Sequence, residues 1–111
     1  MFVSHRNEIE KKKISETITK QVLVGPQQGW KDHVMRMFTL EKGGKAPHHA
    51  HPWQHIIYAV EGVGNLLMDG KDYPLTAGSV AYVPDDVVHQ VSNAGDGKFV
   101  FICIVPERGD Q

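Results

Sequence analysis

The chain reads as an all-β protein, a single small barrel or sandwich of antiparallel strands. Three observations predict this. Short apolar runs alternate with Gly, Pro, Asp and Asn and recur roughly every ten residues. No stretch after residue 26 holds a helical period over three turns. Apolar residues make up 41% of the 111, enough for one domain with its own core.

Residues 1–13 are polar and charged and end in Lys11-Lys12-Lys13; they are expected to form a solvated arm. The domain is expected over residues 14–111. Its first strand falls in "TKQVLVG", which is β-branched and stops at the turn signal Gly25-Pro26. The runs "HVMRMFTL", "IIYAV", "GNLLM", "SVAYVP", "HQVS" and "FVFICIV" follow. Asp69-Gly70 is a strong two-residue hairpin signal between "GNLLM" and "YPLTAG", and "NAGDGK" makes a turn before the last strand.

That last strand is apolar at both parities. Phe99, Phe101, Cys103 and Val105 form one face, and Val100, Ile102 and Ile104 form the other. A half-exposed strand would alternate with polar residues, so both faces are expected to be covered. The barrel interior covers one. The other calls for the N-terminal strand or a second subunit, and a homodimer is expected.

The formal net charge of −1 gives no general pull toward nucleic acid or anionic membranes. The single cysteine, Cys103, excludes an internal disulfide. "MFVSHRNEIEKKK" lacks the apolar run of a secretory signal, and no run is long enough to span a bilayer. The expected setting is cytoplasmic and the expected partner is a small molecule.

The chemistry concentrates in "PHHAHPWQH", Pro47 to His55, which holds four of the seven histidines. In a strand, side chains at i and i+2 point the same way, so His49 and His51 share a face and His48 points away. His55 opens the next strand, "HIIYAV". His89 lies further on, at the start of "HQVS". Imidazole is a ligand for zinc, copper, iron, nickel and manganese. The shared face of His49 and His51, with His55 close behind, points to a metal site. His5, His33 and His48 read as ordinary polar residues.

These residues also carry a resemblance. The segment Gly43-GKAPH-His49-A-His51-PWQ-His55-IIYAVE-Gly62 resembles the first motif of the cupin superfamily, with His55 in the place of that motif's Glu. Gly78-SVAYV-Pro84-D-Asp86-VV-His89-QVS-Asn93 resembles the second, with Asp86 replacing a Gly. Both match in spacing. The resemblance implies a cupin β-barrel of the double-stranded β-helix, or jelly-roll, type. It implies one divalent ion per chain on His49, His51, His55 and His89, as in small one-domain four-histidine cupins that bind manganese. Mn2+ is the first expectation, with Fe2+, Ni2+, Zn2+ and Cu2+ as alternatives. Asp86 brings a cost to the tight turn before His89, because Asp adopts a positive φ less readily than Gly.

Four imidazoles leave two positions of a six-coordinate ion open, as a catalytic site requires. Four neutral ligands also leave the full +2 on the ion, which should favour an anionic guest. By the same resemblance Phe101 and Cys103 face the metal, and Val91 shares the parity of His89. Arg36 faces in or out, which parity alone leaves open; facing in, it would pair with a substrate carboxylate. Trp53 forms a pocket wall or packs a strand crossover. Three functions follow in order: a dioxygenase-like oxidoreductase, a non-redox isomerase or lyase using the metal as a Lewis acid, and a non-catalytic binding module.

Overall fold

The computed structural model describes residues 1–110. Among these residues nine strands form two antiparallel sheets. They are β1 (Lys12–Ser15), β2 (Ile18–Val24), β3 (His33–Leu40), β4 (His55–Glu61), β5 (Val63–Met68), β6 (Lys71–Thr76), β7 (Val80–Val83), β8 (His89–Asn93) and β9 (Phe99–Pro106). The larger sheet runs β1-β2-β3-β9-β4-β7 and the smaller runs β6-β5-β8. This is the jelly-roll barrel expected. Among the described residues no helix is long and apolar enough to cross a membrane.

Local chemistry sets the elements. The β5–β6 hairpin closes through Asp69 and Gly70, both at positive φ (52° and 79°), with Met68 paired to Lys71. That is the backbone a two-residue hairpin turn demands. β9 sits at the centre of the large sheet, between β3 and β4, and its inward residues Phe99, Phe101, Cys103 and Val105 are all buried. Inward residues of the neighbouring strands complete the core, among them Val34, Leu40, Ile57 and Ala59.

The outward face of β9 is covered unevenly. Gln21 donates side-chain hydrogen bonds to the carbonyls of Arg6 and Ile9, which draws the N-terminal segment across β2 and β3. Gln21, Met37 and Val100 are buried at that end. Ile102 and Ile104 are only half-buried at the other. Residues 12–13, read as part of the polar arm, lie in β1 and pair with β2. All four β1 side chains are exposed, so the strand carries no apolar alternation to betray it.

Candidate metal centre

The segment from Pro47 to Gln54 is not the regular strand that its His-x-His spacing suggests. It meets the sheet through one bridge, in which the His49 N–H donates to the His89 carbonyl (3.1 Å) and the His89 N–H donates to the His49 carbonyl (3.0 Å). Pro47 and Pro52 lack an N–H, so a longer ladder is interrupted. His55 begins β4 and His89 begins β8, so two imidazoles stand on strand ends and two on an extended loop.

The four rings gather. Centroids lie 4.8 Å apart for His49 and His51, 5.2 Å for His49 and His89, 4.3 Å for His51 and His55, and 5.1 Å for His55 and His89. Ring nitrogens of His49, His51 and His89 all fall within 4.8 Å of one another, so these three form a group able to hold a metal ion. His55 joins through its Nε2, 2.6 Å from Nε2 of His51. His48 is exposed, His33 stacks on Trp30, and the His5 ring accepts a hydrogen bond from the Asn7 N–H; none joins the cluster.

Backbone carbonyls fix the direction of two rings. Nδ1 of His89 lies 2.9 Å from the Val87 carbonyl and Nδ1 of His51 lies 3.3 Å from the Trp53 carbonyl. A carbonyl only accepts, so each Nδ1 carries the proton and each Nε2 keeps its lone pair for the cluster. His55 uses a side chain for the same purpose, with Nδ1 3.0 Å from Sγ of Cys103. Burial, and then the neighbouring imidazoles, push the pKa values of His49 and His51 below the ordinary 6.5. The same causes bring His55 down to about 3. Neutral imidazole is the ligating form, so the donor set fits a divalent ion.

Asp86 takes φ = 65°, and its N–H donates to the His51 carbonyl at 2.8 Å. The turn before His89 therefore survives the missing glycine. It also ties the two histidine-bearing segments together.

The imidazoles form one wall of a cavity of about 380 Å³. Arg36, Trp53, Val91, Phe101 and Cys103 all line it. Arg36 faces inward because β3 pairs it with Cys103, and it is buried. Its Nη2 donates to Cys103 Sγ at 3.2 Å, and its guanidinium sits 5.0 Å from the Phe38 ring centre. Trp53 stands in the cavity wall, and what it packs besides is the C-terminal turn rather than a strand crossover. It stacks on His51 at 4.4 Å and it packs the C-terminal turn, where a side chain on Gly109 would meet the indole nitrogen at 2.7 Å. Among the described residues Lys20 is the charged lining residue that sequence reading missed, alongside apolar ones such as Phe38 and Ile57. Its signal was present: Ile18, Lys20 and Val22 share the apolar parity of β2, opposite Leu40, Phe38 and Arg36.

The comparisons with known proteins agree with this architecture. The Cupin domain family model matches residues 36–105, and the chain belongs to that family. It is similar to the glucose-6-phosphate isomerase of Thermococcus onnurineus (strain NA1), 38% identical over 56 residues, covering 46% of this chain and 30% of that protein. It is also similar to the polyketide synthase CurC of Streptomyces cyaneus, 31% identical over 81 residues, covering 72% of this chain and 50% of that one. The chain thus spans half or less of these curated relatives. Among solved structures it resembles the polyketide cyclase RemF from Streptomyces resistomycificus, with TM-score 0.88, 22% identity, and coverage of 96% and 79%. It also resembles a protein from Thermotoga maritima described as a predicted oxalate decarboxylase, with TM-score 0.85, 23% identity, and coverage of 95% and 98%. At these identities the structural likeness speaks for the fold alone.

Proposed function

We propose that this chain is a metal-dependent cupin enzyme acting on a small molecule, with one divalent ion held by His49, His51, His55 and His89. One observation carries the reading. Four imidazoles converge on the wall of a cavity whose lining, among the described residues, contains no Asp or Glu. A bound ion would supply Lewis acidity and open positions for substrate oxygen or O2. The chain's own residues orient and enclose. Val87, Trp53 and Cys103 aim the imidazoles, while Phe38, Phe101, Val91 and Ile57 keep the cavity apolar. Mn2+ is the first assignment, with Fe2+, Ni2+, Zn2+ and Cu2+ as alternatives.

A dioxygenase-like oxidoreductase is the first assignment of reaction. With no carboxylate among the described lining residues, proton abstraction from substrate has no obvious carboxylate base there, which counts against a base-dependent isomerase. A second reading is a non-redox lyase, isomerase or cyclase that uses the ion as a Lewis acid. It is favoured by what the curated relatives are named for: glucose-6-phosphate isomerisation and polyketide synthesis. Oxygen uptake by Mn- or Fe-reconstituted protein across small phenols, enols and 2-oxo acids tests the first reading. Turnover that persists without O2 would transfer the assignment to the second, and no turnover under either condition would count against an enzyme.

A further inference from the structure

We propose that Arg36 and Lys20 form a carboxylate-binding subsite in the cavity, with Asp110 as a resident counter-ion that a substrate carboxylate displaces. The proposal rests on the metal-enzyme reading above and names its substrate class: a compact carboxylate whose other end reaches the imidazole cluster.

Three observations carry it. Arg36 is 5% exposed, and its Nε is buried with no hydrogen-bond partner among the described residues. A guanidinium in that state has unspent capacity to bind an anion. Lys20 also lines the cavity, with its side chain 12% exposed, so two cations face it with Asp110 beside them as the balancing charge. The third is the quality of the balancing charge. Asp110 Oδ1 lies 2.7 Å from Lys20 Nζ and 3.7 Å from Arg36 Nη1, yet no donor among the described residues is aligned to hydrogen-bond it. One carboxylate, close to Lys20 but with no aligned hydrogen bond among the described residues, answers a buried guanidinium and a half-buried ammonium. Arg36 is joined to His55 through a single shared sulfur, which places the subsite within reach of a small molecule at the imidazoles.

The test is calorimetric titration with pyruvate, and with its uncharged amide, for metal-free and Mn-loaded protein, with metal content measured throughout. Pyruvate is expected to bind both forms, and the amide to bind at least about tenfold more weakly. Arg36→Gln should keep its metal and lose about tenfold in pyruvate affinity. Lys20→Gln, a milder change, should weaken pyruvate in the same direction. Asp110→Asn should strengthen it, an effect that a purely structural ion pair would not produce. Equal affinity in Arg36→Gln and Lys20→Gln, or weaker binding in Asp110→Asn, would overturn the subsite. If the wild type took up no metal, the enzyme reading would fall. Arg36-dependent pyruvate binding by that metal-free protein would still support the subsite, and its absence would overturn it.

Discussion

His49 and His89, forty residues apart in the chain, pair backbone to backbone through two hydrogen bonds of 3.1 and 3.0 Å, and their rings face the same cluster. The bridge joins the His-rich loop to β8 at the point where both contribute an imidazole. Asp86 adds a second tie through the His51 carbonyl. The candidate ligands are thus held by main-chain bonds as well as by side-chain packing, which is the preorganisation a metal site needs.

Alanine replacement of His49, His51, His55 or His89 is expected to abolish stoichiometric metal binding. His48→Ala and His33→Ala should leave it intact. Metal content after dialysis reads the difference. A His48→Ala protein without metal beside a metal-replete His55→Ala protein would place the site elsewhere.

Much of this site was legible because its information is local. Same-face spacing marked His49 and His51, and the hairpin at Asp69-Gly70 followed from turn chemistry. Other parts depend on tertiary context. Nothing in "VMRMF" says that Arg36 faces inward; its pairing with Cys103 across β3 and β9 does. Lys20 sits on an apolar parity, but its charge argued for solvent until Asp110 was brought beside it. β1 was hidden because every side chain in it is exposed, and its backbone pairing with β2 alone defines it. The strand expected through His49 and His51 reduced to one bridge, because prolines on either side remove ladder donors.

Cys103 is assigned a positioning role. Burial pushes its thiol pKa up, and the nearby Arg36 only partly offsets this, so it stays protonated at neutral pH. Its sulfur steadies Nδ1 of His55. Cys103→Val should weaken metal binding roughly 10- to 100-fold, the usual cost of losing a group that orients a ligand. Cys103→Ser, which keeps a polar atom there, should stay near wild type. Chelator competition measures both, and equal affinity for Val and wild type would remove the role.

Acid should destabilise the metal-free protein. Unfolded, His55 titrates near 6.5; folded, burial and its imidazole neighbours hold it down to about 3. Between these values the unfolded chain binds more protons. This contribution is present in full above pH 6.5 and is lost as pH falls toward 3, with His49 and His51 acting in the same direction. Thermal melts across this range should show Tm falling with pH, and His55→Gln should flatten the slope. A slope unchanged by that substitution would contradict the assignment.

Gly64 lies beneath the Phe99 ring, and a Cβ built on it would fall among the ring carbons. Phe99 is fully buried and has no room to move. Gly64→Ala should cost roughly 1–3 kcal/mol through overpacking. Urea denaturation measures it; a neutral result would mean that the β5–β9 contact is looser than described.

The central claim is a four-imidazole centre with open positions, and X-ray absorption spectroscopy tests it most directly. The sample is protein made without an affinity tag or added metal, with its metal content determined alongside. The account predicts one divalent ion per chain, six-coordinate, with four imidazole nitrogens and two exchangeable oxygen ligands. A closed tetrahedral zinc site, or an ion bound by only three imidazoles with His55 outside its coordination, would contradict it.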